Sequence, residues 1–402
     1  MAGYWRERSV VPTVNAQAYY DMPTLAGLVG LFDFTVTIRE MVNDLQYALI
    51  EPLNAWPPFT WAGTDMFTLE DFVEAIQRRR NQFLLDTACV LKQELLAVGP
   101  VPPAGRFDLP ESYITVRRAA WRTVPGVYST LWREDEWAFN AFQPTWMQTP
   151  AKPRSFSISM TPPVMMQLAP VPLDAGTLDL VSVRSGAALD VTANTLLGIP
   201  DDFCWVVKYG ALADLLSIEG EAYDPERAKY CQQRYEQGVN LARLTPSIMN
   251  FQIMDRPARI DSIFDWDNFD AGWQNSSGTP TRVAMLGFTM FALKDIPDGV
   301  YGLSFDLLRK APIPAADGSF VQLGQEQLDT VIDLAEHIAR FKQGGAEFST
   351  TLSLFENTMG QARVYNGAIM EASPFKDVLT DRARQTEDKV PSRRPRPVEV
   401  AQ

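Results

Sequence analysis

Phe203-Cys-Trp-Val-Val-Lys-Tyr-Gly-Ala-Leu-Ala-Asp-Leu-Leu-Ser-Ile218 is apolar on nearly every side of a helical wheel. A helix of that kind is enclosed by protein instead of lying on a surface. It is followed by Glu219-Gly-Glu-Ala-Tyr-Asp-Pro225, where an acid at the N-cap precedes proline at the first helical position. That pair is a strong helix start, and the second helix is expected to reach about Leu241. Residues 200–245 therefore read as an antiparallel helical hairpin at the centre of the molecule.

Upstream of the hairpin, residues 106–199 change to short alternating runs broken by proline and glycine. Tyr113-Ile-Thr-Val116, Ser155-Phe-Ser-Ile-Ser159 and Thr177-Leu-Asp-Leu-Val181 alternate as half-buried strands do. Prolines 162, 163, 170 and 172 assign their neighbourhood to edges and loops. Residues 1–105 read as helical. Thr68-Leu-Glu-Asp71 has the form of a capping box, and Leu69, Phe72, Val73, Ile76, Phe83 and Leu84 form one stripe, so a helix is expected from about Leu69 to Thr87. Ile38, Met41, Val42, Leu45 and Leu49 mark another amphipathic helix, stopped by Glu51-Pro52. Val98-Gly-Pro-Val-Pro-Pro-Ala-Gly105 reads as a linker or rigid turn.

Downstream, residues 246–379 combine a second β hairpin with two closing helices. Val283–Leu293 and Val300–Arg309 are expected as strands around Pro297-Asp-Gly299, and helices over Gln325–Phe341 and Glu347–Asn366 are parted by Gly344-Gly345. From residue 380 to 402 the chain is polar and rich in proline and arginine, the composition of a disordered tail. The fold class read from this order is α+β.

Composition narrows the function. The chain has 402 residues, 46% hydrophobic and 21% charged, enough to bury a real core. A net charge of −13 opposes sequence-independent binding of nucleic acid over the whole surface. Cys89, Cys204 and Cys231 are far apart, which argues against a disulfide framework or structural zinc and fits a reducing compartment. The start MAGYWRERSVV has no apolar core of a secretory signal. Leu25–Val36 and Phe203–Ile218 are short and interrupted by Asp33, Lys208 and Asp214, so neither would span a bilayer.

The single histidine, His337, limits acid–base chemistry further. Leu328, Val331, Ile332, Ala335 and Ile338 define the expected buried stripe of its helix, which places His337 on the polar side beside Asp333, Glu336 and Arg340. No nucleophile elbow, phosphate loop, dinucleotide fingerprint or zinc-protease motif occurs. No catalytic residue, cofactor or metal is therefore assigned. Asp261, Asp265, Asp267 and Asp270 could converge on a cation, although Phe269 and Asp270 depart from the calcium-loop pattern. Trp121, Trp132, Trp137 and Trp146, with Phe139 and Phe142, could serve as core, as subunit interface or as a glycan platform. In Arg78-Arg79-Arg80, ideal spacing turns Arg80 into the apolar face, which calls for an ion pair within the chain or across a subunit boundary. Lys389, Arg393, Arg394 and Arg396 make the tail basic and solvated, with an acidic partner or DNA as the second reading.

The order of segments also carries a resemblance. Val116-Arg-Arg-Ala-Ala-Trp121, Leu131-Trp-Arg-Glu-Asp-Glu-Trp137, Thr161-Pro-Pro-Val164 and Gly176-Thr-Leu-Asp-Leu180 resemble a β module of tailed-phage structural proteins. Ile199-Pro-Asp-Asp202 and Glu219–Pro225 are similar to the hairpin of phage head–tail adaptor (neck or connector) proteins. The resemblance covers roughly residues 110–245. It implies a virion structural protein assembled in the bacterial host cytoplasm. It further implies a homo-oligomeric ring that joins portal to tail proteins and extends the DNA channel, with passive DNA contact and no membrane. Such adaptors are built around a helical bundle and are shorter, so the β material from Val283 to Arg309 departs from their pattern. The rival readings are another tail or baseplate component, and a carbohydrate-binding or glycan-processing protein using the Trp cluster.

Overall fold

The computed structural model describes residues 4–14, 17–24, 33–50, 53, 66–99, 105–123, 127–142, 144–159, 164–185, 188–244, 248–254, 256–310 and 328–372. The basic tail, Thr161–Pro163 and most of the proline-rich stretch before Gly105 lie outside them. The chain divides into two compact units, Met1–Phe320 and Val321–Gln402, and its fold class is α+β.

The first unit opens with β1 (Tyr4–Val14) and β2 (Tyr19–Asp21), then α1 (Ile38–Leu49) and α2 (Leu69–Thr87). The β module follows as β3 (Leu91–Val98), β4 (Arg106–Asp108), β5 (Tyr113–Thr123), β6 (Tyr128–Arg133), α3 (Glu136–Phe142), β7 (Ser155–Ile158), β8 (Met165–Ala169) and β9 (Gly176–Arg184). The hairpin is α4 (Cys204–Leu216) and α5 (Pro225–Leu244). The unit closes with β10 (Ile248–Ile253), β11 (Arg256–Pro257), β12 (Arg259–Asp261), α6 (Ile263–Phe269), β13 (Ser277–Gly278), β14 (Arg282–Leu286), β15 (Met290–Lys294), β16 (Ile296–Pro297) and β17 (Tyr301–Lys310). The second unit contains α7 (Leu328–Gln343) and α8 (Gly345–Ala372).

The helix α2 starts with the capping box its sequence predicts, and α1 starts with another that the sequence reading did not name. Thr37 and Thr68 each accept the N3 amide, and Glu40 and Asp71 reach back to the cap amides, so two otherwise orphaned donors are satisfied at each end. Ile50 and Ala88 then terminate them in left-handed conformation. The central helix is enclosed, with no exposed side chain from Phe203 to Leu216. Asp224 accepts the amide of Arg227 at 3.1 Å, as expected of the N-cap before Pro225.

The helices α4 and α5 approach closely because Gly238 has no side chain. A Cβ there would lie 2.3 Å from a Val206 methyl. Gly238→Ala is therefore expected to cost about 1–3 kcal/mol by overpacking, even though alanine favours helix. Thermal unfolding checks this. A melting temperature equal to or above wild type would mean that the two helices part without penalty.

The β module forms a seven-stranded sheet in the order β3-β9-β5-β6-β7-β8-β4. Its pairs are antiparallel apart from β6 with β7. The predicted strands at Tyr113, Ser155 and Thr177 are all present, as parts of β5, β7 and β9. Two four-stranded sheets complete the unit, β1-β17-β10-β11 and β12-β14-β15-β2, with the small pair β13-β16.

Four expectations are corrected. Residues 1–105 are not wholly helical, since they contain β1, β2 and β3. Leu91-Lys-Gln-Glu-Leu-Leu-Ala-Val98 is rich in helix formers, yet all eight residues pair in register with β9. Tertiary pairing overrides local propensity there. Val283–Leu293 is two strands, not one. Gly287 turns the chain at φ +67, where a Cβ would lie 2.4 Å from the Cys89 carbonyl oxygen. The strand Tyr301–Lys310 does not pair with β15. It lies between β1 and β10, partners distant in sequence.

The fourth correction concerns His337, which is fully buried. Its ring lies 5.2 Å from that of Phe348 and 5.3 Å from that of Phe355, and Nδ1 is 3.0 Å from the Thr351 hydroxyl. The apolar stripe expected to be buried is the exposed one, with Val331 38%, Ile332 57% and Ile338 45% exposed. The aromatic side chains of α8 select the Leu334–His337–Phe341 face of α7, which an amphipathic count alone does not choose.

Candidate assembly surface

The strongest chemistry in the first unit is a buried polar network, of which the sequence had singled out only Asp267, and that as a candidate cation ligand. Arg118 on β5 donates from Nε to Asp267 Oδ2 at 2.7 Å and from Nη2 to Oδ1 at 2.8 Å, a two-pronged charge-assisted pair. Thr130 Oγ1 and Trp273 Nε1 donate to the same Asp267 oxygen at 2.9 and 3.0 Å. Gln274 accepts from Arg118 at 3.0 Å and donates to Asp179 on β9 at 2.6 Å. Gln93 on β3 donates to the other Asp179 oxygen at 2.6 Å. Arg118 Nη1 also donates to the Tyr19 hydroxyl at 2.5 Å.

Burial alone would pull the Arg118 pKa down, but Tyr19, Asp267 and Asp179 together hold it above its ordinary value. Burial raises the Asp179 carboxyl above the usual carboxylate range, against the opposing effects of Gln93, Arg118 and Gln274. The arrangement ties four strands of the seven-stranded sheet, β3, β9, β5 and β6, to β2, to α6 and to the loop after it. It presents no activated nucleophile, and its charges are consumed by one another. Its chemical work is to clamp sheets together.

The sequence did contain a signal for this clamp. Two adjacent arginines stand in the middle of a strand flanked by Val116 and Ala119-Ala120-Trp121, and the register slips between Val116 and Arg118. That bulge turns Arg118 inward while Arg117 reaches the Leu85 carbonyl at 3.2 Å. Alternation alone cannot locate a bulge.

The four aspartates do not converge. Asp261 pairs with Arg259 at 2.7 Å and Arg282 at 3.4 Å, Asp267 with Arg118, and Asp270 with Lys294 at 2.9 Å. Asp265 is half-buried on α6. Among the described residues no cluster of three or more histidine, cysteine or acidic side chains is placed to hold a metal ion.

The arginine run divides by position. Arg79 makes the intramolecular ion pair, donating to Asp214 on α4 from Nε at 2.9 Å and from Nη2 at 2.5 Å, with Tyr235 beneath its guanidinium. Arg78 is exposed and pairs with Glu74. Arg80 is buried as its spacing predicts, hydrogen bonds to Asn81 at 3.3 Å, and has its pKa pushed down by burial to about 10.

The aromatic cluster also separates. Trp121 and Trp146 are core residues, the latter edge-on to Phe139 at 5.5 Å. Trp132, Trp137 and Phe142 are 51%, 84% and 87% exposed. Two of the four tryptophans are therefore unavailable to a glycan, and the exposed aromatic area sits on the short α3 and the end of β6. Large exposed aromatics grouped on one short helix and the adjoining strand end have the composition of a protein-contact surface.

No curated protein matches the chain. The family model described as SU10 adaptor protein matches residues 36–260, more than half of the chain, from the residue before the α1 cap through both helical layers and the β module to β12. The chain belongs to the SU10 adaptor protein family of phage head–tail adaptors, a structural component of the phage particle.

Proposed function

We propose that the protein forms a closed ring of identical copies between portal and tail, extends the DNA channel and works without catalysis, after assembly in the host cytoplasm. The observation that carries this reading is the family match over the helical layer and the β module. The exposed side chains of α3 supply contact groups of the kind that dominate interface energetics, and Glu136 ties the helix to Arg106 on β4. A contact between two different faces, repeated at a fixed rotation, either closes into a ring or runs on as a filament. The net charge of −13 favours passage of DNA over retention, because phosphate finds few cations from which to release counterions.

The test combines imaging with substitution. Cryo-electron microscopy of the source particle is expected to place the chain in a ring at the neck. Trp137→Ala and Phe142→Ala should each leave unfolding within about 0.5 kcal/mol of wild type, because both side chains are largely exposed. Each should lower incorporation into particles. Normal incorporation of the double variant would remove α3 from the contact surface, and absence of the chain from the neck would reject the ring.

A further inference from the structure

Arg133 ends β6 shortly before α3 begins, and Arg117 sits at the bulge of β5. Across these two strands Ala119 pairs with Leu131 and Ala120 with Thr130. Further along the same register, Arg117 comes opposite Arg133. Arg133 accordingly donates from Nη1 to the carbonyl of Val116, the residue before Arg117, at 3.3 Å. Like charges directly opposite each other on neighbouring strands are destabilising. Burial first, and then the adjoining Arg117 guanidinium, push the Arg133 pKa below its ordinary value.

The two arginines are not equivalent. Arg117 has a place in the fold, because its Nη2 donates at 3.2 Å to the Leu85 carbonyl in the last turn of α2, the end of a helix that favours a cation. Arg133 is exposed, and its bond to Val116 uses only part of a guanidinium rich in donors. Neither side chain forms an ion pair with a carboxylate among the described residues. The pair is a preformed seat for an anion. A carboxylate set between them relieves their repulsion and accepts charge-assisted hydrogen bonds from both.

The surroundings select the source of that anion. Glu134, Asp135 and Glu136 follow Arg133 directly, and the chain carries a net charge of −13. Nucleic acid binds through several phosphates at once, and these acids repel the phosphates on either side. A single side-chain carboxylate is small enough to meet the arginines alone. Arg133 also adjoins in sequence the exposed Trp132 and, on α3, the exposed Trp137. Arginine and tryptophan are enriched where protein contacts are strongest.

We propose that Arg117 and Arg133 together bind one aspartate or glutamate side chain of a neighbouring protein in the particle. The site rests on the assembly reading above and adds a defined charge pair to the contact surface of α3.

Arg133→Glu tests the site in the full-length chain. It puts a carboxylate opposite Arg117, so the variant should melt at or above the wild-type temperature. Its incorporation into particles should fall by about tenfold or more, because the incoming acid now meets an acid. Wild-type incorporation would overturn the proposal. So would a clear fall in melting temperature, which makes Arg133 a structural residue. The partner's chemistry is read from Arg133→Lys particles treated with a carbodiimide, which joins the introduced amine to a touching carboxylate as an amide, with loss of water. Mass spectrometry should find position 133 linked to an aspartate or glutamate of another protein molecule. Links only within the chain, links to nucleic acid, or no link in particles that contain the variant would each overturn the proposal. Wild-type particles that lack the chain would instead reject the assembly reading, on which the site depends.

Discussion

Arg118→Ala is expected to lower the free energy of unfolding by about 3–5 kcal/mol, because it strands a carboxylate inside the protein. Asp267 is 5% exposed and would keep only the Thr130 and Trp273 donors. The Gln274 carbonyl would lose its charged donor, and the chain from Gln274 through Asp179 to Gln93 would lose its anchor. The more informative variant is Arg118→Met combined with Asp267→Leu. Removing both charges together should cost less than removing either one, since no ion is then left unpaired. Urea unfolding followed by tryptophan fluorescence measures all four states of this cycle. A loss below about 1 kcal/mol for Arg118→Ala would mean that water screens the pair and that the clamp holds little.

Val207→Asp is expected to abolish folding of the first unit. Val207 is fully buried on α4, a helix that presents no exposed side chain from Phe203 to Leu216 and packs on α1, α2 and α5. An unpaired charge there costs several kcal/mol, comparable with the ~5–15 kcal/mol that holds a whole domain together. The variant should accumulate as insoluble or unfolded chain. Lys208→Ala on the same helix is the control. Lys208 reaches Asp44, which is 61% exposed, at 3.2 Å, and its loss should cost no more than about 1 kcal/mol. Soluble yield and far-ultraviolet circular dichroism distinguish the two. A folded, soluble Val207→Asp protein would show that α4 is not the structural centre. In native protein the amides of α4 should exchange only on global unfolding.

Several features were legible in the residues alone, for local reasons. Thr68 with Asp71 and Asp224 with Pro225 are self-contained start signals, because caps satisfy amides only three residues away. The enclosed character of α4 was visible because polarity on every side of a helix is a property of its own residues. The inward turn of Arg80 followed from the same spacing. Family membership was likewise readable from the order of the β module and the hairpin, which the family match then covered with its flanking helices.

What lay between distant segments was decided only by the tertiary structure. Asp267 is 149 residues from Arg118 and Gln274 is 95 from Asp179, so no window contains either pair. The strand at Leu91–Val98 exists because β9 is there to receive it, and β17 lies against β1 instead of its neighbour in sequence. His337 shows the limit most directly. Its helix has two faces able to pack, and the residues of α7 alone favoured the one bearing Ile332 and Ile338. Phe348 and Phe355 on the next helix took the other, because aromatic rings stacked on an imidazole gain both contact area and a preferred geometry. Local patterns specify which elements form and which faces are able to pack, while the choice among those faces belongs to the pairwise fit of segments far apart in the chain.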